Sequence, residues 1–165
     1  MDCKSYIDKL KKKFERHFII ETDLEILGTK IDMYARFTDV RGRTFITKQD
    51  VIDKYENHEL CYIKGYKDVA VEDVTGFCEF LKNAVNEFVK PEADHMSTYV
   101  TGVMVADSIN DSARREAESF SYSRVYQFYL KGWCDVRLVC VDLSNGSVIT
   151  NKAAKKLKKV YQITP

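Results

Sequence analysis

Thr98-Tyr99-Val100-Thr101-Gly102-Val103-Met104-Val105-Ala106 decides the fold. The run is apolar and β-branched with little alternation, as in a strand covered on both faces within a parallel arrangement. Upstream, residues 72–90 place Val74, Phe77, Cys78, Leu81, Ala84, Val85 and Phe88 on one helical stripe. Glu72 and Asp73 sit in the first turn, where they favour the helix dipole, and Pro91 follows as a stop. Before this helix, Glu59-Leu60-Cys61-Tyr62-Ile63-Lys64-Gly65-Tyr66 reads as a strand. A helix of this length between two strands is a crossover, so residues 59–66 and 98–106 are expected to be parallel.

The rest of the chain reads outward from this unit. Residues 5–17 form a helix, with Ile7, Leu10, Phe14 and Phe18 on one face and Lys9, Lys11, Lys12, Lys13 and Arg16 on the other. Ile31, Met33, Ala35 and Phe37 alternate with Lys30, Asp32, Tyr34 and Arg36, the pattern of a strand with one buried face. Residues 39–43, with Gly42, read as a hairpin turn into the strand Thr44-Phe45-Ile46-Thr47. Thr47 or Asp50 then caps a short helix reaching about Tyr55. Asn110 or Asp111 opens a helix to about Phe120. Residues 124–131 and 134–143 read as strands, and Ser144-Asn145-Gly146-Ser147 as a hairpin turn into Val148-Ile149-Thr150. Thr150 or Asn151 caps a last helix with Ala153, Ala154, Leu157, Val160 and Tyr161 inward. The order predicts one α/β (mixed α+β) domain over residues 1–165, a central mixed β-sheet flanked by helices.

Composition narrows the class. The chain has 165 residues, 45% of them apolar and 31% charged, with two prolines and seven glycines, an ordinary globular balance without disordered linkers. Its apolar runs are too short to span a membrane, and the N-terminus has no apolar signal region. A cytoplasmic protein without a membrane partner is therefore expected. Cys3, Cys61, Cys78, Cys134 and Cys140 form no C-x-x-C pair, and buried reduced thiols are the expectation. His17, His58 and His95 have no metal-ligand spacing to a cysteine. No P-loop, G-x-G-x-x-G, G-x-S-x-G or H-E-x-x-H occurs, which weighs against nucleotide-dependent enzymes, lipase-type hydrolases and zinc proteases.

The helix–strand–strand–strand–helix–strand order resembles the restriction-endonuclease-like fold. Families of that fold place a metal-binding Asp on one strand and Glu-x-Lys on the next. The resemblance implies Asp32 as the Asp and Lys64 as the Lys, with Mg²⁺ as cofactor. The Glu position falls on Tyr62, which cannot ligate Mg²⁺ in its place. Glu59 is the nearest carboxylate, but five residues from Lys64 it points to the other strand face unless a bulge intervenes. Glu15 and Glu25 are the other carboxylates that folding can bring in. The residue types themselves favour Asp32 and Lys64 as polar groups on solvated strand faces, with no resident cofactor.

Three further features bear on partners. The first and last helices are lysine-rich although the whole chain is only +1. Docked side by side, they would present Lys9, Lys12, Lys155 and Lys159 to phosphates; a merely solvated face is the plainer expectation. Phe120, Tyr122, Tyr126, Phe128, Tyr129 and Trp133, with Arg124 and Lys131 among them, favour core packing plus a contact between copies over base stacking. Asp135 and Arg137 share a strand face, where they pair or flank a polar pocket, and Gly132 before Trp133 marks a bend at the sheet end.

Gly-Trp-Cys-Asp-Val-Arg at 132–137, with the Asp-Leu-Ser-Asn-Gly turn at 142–146 before Thr150-Asn151, resembles an uncharacterised prokaryotic single-domain family to which no activity is assigned. That resemblance implies a small bacterial or archaeal cytoplasmic protein and nothing about substrate. A non-catalytic binding or interaction module, self-associating through strand edges or the tyrosine-rich surface, is the expected function. A divergent Mg²⁺ nuclease or nucleic-acid-binding protein is the alternative.

Overall fold

The computed structural model describes residues 1–44 and 51–163. Helix α1 (Cys3–Phe14) is followed by strands β1 (Ile19–Ile26), β2 (Thr29–Thr44) and β3 (Val51–Val69), then helix α2 (Val71–Phe88) and strand β4 (His95–Ile109). Helix α3 (Asp111–Ser119), strands β5 (Ser123–Val125), β6 (Trp133–Asp142) and β7 (Ser147–Thr150), and a 3₁₀ helix (Lys152–Leu157) complete the chain. The strands form one seven-stranded sheet in the order β1-β2-β3-β4-β6-β5, with β7 also on β6. β3, β4 and β6 are parallel, and the remaining pairings are antiparallel. The fold is thus mixed α/β, with α2 as the expected crossover.

Each helix starts where its sequence supplies a cap. Asp2 accepts the Ser5 amide, Asp73 accepts the Ala70 amide, Asn110 accepts the Ala113 amide and Asn151 accepts the Ala154 amide. Helices α2 and α3 cover one face of the sheet, burying Tyr62, Val74, Phe77, Leu81, Val100, Met104 and Leu138. Helix α1 and the terminal segment cover the other, burying Tyr6, Leu10, Phe14, Met33, Ile63, Val103, Val139 and Tyr161. Burial of such a Leu, Val or Phe stabilises by roughly 1.5–3 kcal/mol each. β4 is covered from both sides, which explains its unbroken apolar run.

Four expectations are corrected. Residues 39–43 do not turn; they lie within β2 and pair with β3 from Asp39↔Asn57 to Arg43↔Asp53. Val51 to Tyr55 are strand, not helix; an extended ladder overrides the local turn signal of Gly42 and the capping signal upstream. Phe45 to Thr47 and the proposed caps Thr47 and Asp50 lie outside the described residues. Strand pairing over 124–131 stops at Val125, and the following residues close a left-handed turn. The last helix is 3₁₀, so its inward side recurs every third residue; Ala154 is buried, Leu157 and Val160 half-buried, and Ala153 exposed.

Candidate functional site

Asp32 sits where β2 loses its alternation. Ile31 packs on the α2 side and Met33 on the α1 side, so the chain turns over between them; all four apolar residues of the 31–37 pattern do not share a face. β1 is distorted at the same place, with Asp23 at φ 56° lying between the pairs Thr22↔Met33 and Leu24↔Ile31. The β2–β3 ladder ends at Met33↔Ile63, and beyond it Asp32 Oδ2 accepts the Gly65 amide at 2.7 Å. A Cβ on Gly65 would meet Cys3 Sγ, Asp32 Oδ2 and Ile7 Cδ1, so the Asp32 carboxylate lies on the α1 side.

Lys64, one residue earlier, points to the other face. Its ammonium lies 5.3 Å from the centroid of the Tyr66 ring, which packs on the α2-side core. Glu59 is on the α1 side but accepts from Thr101 Oγ1 at 3.2 Å and lies 3.8 Å from Arg137 NH1. Asp32, Glu59 and Lys64 therefore do not converge. Glu15 is exposed at the C-cap of α1, and Glu25 lines a hollow with Tyr34, Tyr62 and Phe88 on the α2 side. Among the described residues, no three His, Cys, Asp or Glu side chains are grouped to hold a metal ion. Asp32 instead lines a cleft of about 620 Å³ with Cys3, Lys4, Lys67 and Asp107 at the carboxyl ends of β3 and β4.

The described cysteines are free thiols, four of them buried. Burial pushes Cys3 up to about 11, and Cys78 and Cys134 up to about 12. Cys61 and Cys140 are raised further by the same cause. All five are poor nucleophiles near neutrality.

The α1-side face of the sheet changes character in rows. Met33, Ile63, Val103 and Val139 lie side by side beneath the helices. The next row is Ala35, Cys61, Thr101 and Arg137. The third is Phe37, Glu59, Tyr99 and Asp135, and the fourth Asp39, Asn57, Ser97 and Trp133. Apolar positions thus give way to aromatic and polar ones as the sheet runs out from under α1. A groove of about 440 Å³ opens over these outer rows, lined by Phe37, Asp39, Glu59, Met96, Tyr99 and Trp133, with His58, Asn57 and Ser97.

The groove is held by a compact network. The Arg137 guanidinium carbon stacks 3.0 Å from the Tyr99 ring centroid, and Trp133 meets Tyr99 edge-on at 5.1 Å. Arg137 therefore pairs with Glu59 and not with Asp135, its neighbour on the same strand face. Arg137 Nε is buried without a hydrogen-bond partner. Ser97 Oγ donates to Asn57 Oδ1 at 2.6 Å. His58 and His95, far apart in the chain, stack with ring centroids 5.9 Å apart. His95 Nδ1 lies 2.6 Å from Lys131 O and its Nε2 2.7 Å from Thr98 Oγ1, so this ring ties the β5–β6 turn to β4.

That turn is unusual. Gln127, Phe128 and Tyr129 all lie in the left-handed region, at φ 46°, 50° and 70°. Left-handed backbone costs a non-glycine residue roughly 1–2 kcal/mol. Phe128, Tyr129 and Leu130 are 96%, 68% and 80% exposed. The turn exits through Gly132 at φ 75°, where a Cβ would overlap the Met96 carbonyl oxygen. Met96 is itself the bulged residue left out of the β3–β4 register.

Helix α1 and the terminal segment dock side by side. Tyr6 OH donates to Tyr161 O at 2.5 Å, and Lys13 Nζ to Val160 O at 2.7 Å. α1 carries five lysines against the single acid Asp8, and residues 152–161 carry five more and no acid. Lys9, Lys12, Lys155 and Lys159 are all exposed. Helix α2, on the opposite face, is acidic, with Glu72, Asp73, Glu79 and Glu87 against Lys82. A single-chain charge of +1 therefore conceals helices of opposite charge on the two faces.

The chain belongs to a family described as a domain of unknown function (DUF8052), whose profile matches residues 2–163. Comparison with curated proteins gives no match. No helix among the described residues is long and apolar enough to cross a membrane.

Proposed function

We propose that this protein is a non-catalytic binding module whose ligand surface is the groove over Phe37, Glu59, Tyr99 and Trp133. The observation that carries this reading is the fixed presentation of Tyr99 between Arg137 and Trp133, in a groove whose described lining also includes Phe37 and Met96. Arg137 already stacks on Tyr99 beside Glu59, and the remaining surface of Phe37, Tyr99 and Trp133 favours a further planar side chain, an aromatic ring or a guanidinium, within a partner segment. Such a pocket needs no cofactor. The Mg²⁺ nuclease reading draws no support from Asp32, whose carboxylate is engaged by Gly65, or from Lys64, which leaves the opposite face.

Trp133 is the single tryptophan and lines the groove, so its fluorescence reports occupancy directly. Titration with short peptides containing arginine and tyrosine should give a saturable change that Tyr99→Ala removes while the fold persists by circular dichroism. An unchanged Trp133 signal across such peptides up to millimolar concentration sinks the proposal.

A second reading, attachment to a polyanion, is favoured by the docking of the two lysine-rich helices on one side of the sheet. The two surfaces lie on the same face but use different residues, and neither reading requires the other.

A further inference from the structure

Tyr62, which stands where the metal-binding pattern would need a glutamate, carries a hydroxyl with nothing to bond to, and we infer that the hollow it lines takes a primary organic ammonium group. This hollow lies on the α2 side of the sheet and is separate from the groove over Tyr99.

The hydroxyl is the first observation. Tyr62 is 1% exposed, stacks on Tyr34 with ring centroids 5.1 Å apart, and meets Phe80 edge-on at 5.2 Å. Its hydroxyl has no hydrogen-bond partner among the described residues. Nor is that oxygen sealed from solvent: among the described residues, the side-chain nitrogen or oxygen both sealed and unpaired is Arg137 Nε. The Tyr62 hydroxyl therefore opens onto the hollow of about 300 Å³ that the residue lines. Buried polar groups ordinarily have a partner, and a ligand that supplies one recovers the cost of leaving this one unmade.

Charge is the second. Glu21 and Glu25, both exposed on β1, line the same hollow. Neither makes an ion pair or hydrogen bond with a described residue, although Lys30 stands opposite Glu25 across the β1–β2 ladder. Glu21 lies opposite Tyr34. Burial raises the Tyr34 hydroxyl above its ordinary value, and Glu21 acts in the same direction while Arg36 opposes it. Burial likewise pushes Tyr62 up. Both phenols are neutral at physiological pH, so the two glutamates charge the described lining.

These groups select the ligand. An anion is repelled by Glu21 and Glu25. A bare metal ion lacks three grouped ligands among the described residues. A quaternary ammonium leaves the Tyr62 hydroxyl unbonded. A primary ammonium has three donors, enough for the Tyr62 oxygen and the carboxylates together, and is attracted to the aromatic rings beside them. Leu24, Ile26 and Phe88, the last 43% exposed, form the apolar wall against which an alkyl or aryl body packs. The group belongs either to a free amine or to a lysine side chain in a peptide.

The test is a titration followed by amide chemical shifts, with phenethylamine as the free amine and acetyl-Leu-Lys-Leu-amide as the peptide. Saturable shifts are expected in residues 21–26, 34, 62 and 88 with at least one of the two, and the tighter binder identifies the source. Phenylpropionate, of similar shape but opposite charge, should give none. The double variant Glu21→Gln/Glu25→Gln should weaken binding at least about tenfold. Tyr62→Phe keeps the ring and removes only the hydroxyl; it should weaken binding while leaving stability to urea unreduced, which a purely structural tyrosine would not do. Tyr99→Ala, in the groove, should change nothing. Three results overturn the inference: no saturation by either probe up to about 10 mM, equal binding of phenylpropionate, or variants at 21, 25 and 62 that bind as wild type does. Shifts centred on Tyr99 and Trp133 instead would move the amine to the groove and overturn it as well.

Discussion

Asp32 Oδ2 takes the Gly65 amide at 2.7 Å where β2 parts from β3, so a side-chain carboxylate replaces the missing ladder carbonyl. This makes Asp32 a structural residue. Asp32→Ala should lower stability by about 1–3 kcal/mol, the cost of leaving a partly buried amide unpaired. It should not change peptide binding as read by Trp133, which lies over a different end of the sheet. Urea unfolding and the fluorescence titration check the two halves separately; a loss of binding with unchanged stability would reverse the assignment.

Gly65 is constrained by the same meeting of α1 and β3. A Cβ there would lie 2.7 Å from Cys3 Sγ but 3.5 Å from both Asp32 Oδ2 and Ile7 Cδ1, so the thiol alone is in the way. Gly65→Ala should cost about 1–3 kcal/mol through overpacking. The double variant Cys3→Ala/Gly65→Ala should recover most of it. A double-mutant cycle by chemical denaturation measures the coupling, and additive losses would show that the clash is not the cause.

Much of this architecture is legible in the sequence because the elements announce themselves locally. The stripe of residues 74–88 and the unbroken run of residues 98–106 define the crossover and its parallel strands. The long β2–β3 hairpin is less legible. Gly42 signals a turn at short range, whereas the pairing of Asp39 with Asn57 depends on strands whose register no local pattern reports. The groove is hidden for the same reason: Phe37, Glu59, Tyr99 and Trp133 come from four strands and become neighbours only through register. One signal was present. Glu59, Tyr99, Asp135 and Arg137 are polar or amphipathic residues within otherwise apolar strands, and all fall on one face once the sheet is aligned. Strict alternation places Asp32 opposite Lys64, and a single distortion between Ile31 and Met33, which no local pattern reports, sends it to the other side.

Gly132 joins the turn to β6. It combines φ 75° with a backbone carbonyl, Met96 O, standing where a Cβ would go, and that oxygen, being backbone, cannot swing aside. Gly132→Ala should destabilise by more than about 2 kcal/mol, from left-handed strain and the clash together. Amide exchange should rise first in residues 95–99 and 133–135, where β4 and β6 begin to pair. Uniform destabilisation without this local signature would contradict the role assigned to the glycine.

Alkaline pH should weaken the fold through its thiols. Cys78 and Cys134 have an ordinary value of 9.0 and are pushed up to about 12 in the fold by burial. Cys61 and Cys140 move in the same direction. The unfolded chain therefore releases these protons first. The stability they contribute is complete below pH 9 and is lost as pH climbs from there toward 12. Each buried thiol steepens the decline by up to about 1.4 kcal/mol per pH unit. Urea midpoints measured from about pH 7 to 10.5 under reducing conditions should be flat to about 9 as far as the thiols contribute and then fall. Cys78→Ala and Cys134→Ala should each flatten the fall, and an unaltered slope in both would place the titration elsewhere.

The lysine-rich side makes the last prediction. Helix α1 and residues 152–161 put their cations on one side, and no large apolar residue of either segment is exposed. A bilayer is held by charge together with an apolar insertion, so this face suits the phosphates of a nucleic acid better than a lipid surface. Binding to duplex DNA or RNA should be independent of sequence and should fall steeply between about 50 and 200 mM salt. Lys9→Glu/Lys155→Glu should remove it, while Phe128→Ser, at the turn, should leave it unchanged. Fluorescence anisotropy with a labelled duplex, run beside anionic and neutral vesicles, separates the outcomes. Binding that survives high salt, or that survives the double charge reversal, would exclude this face as the contact. Preference for anionic vesicles over the duplex would assign the same lysines to a membrane surface.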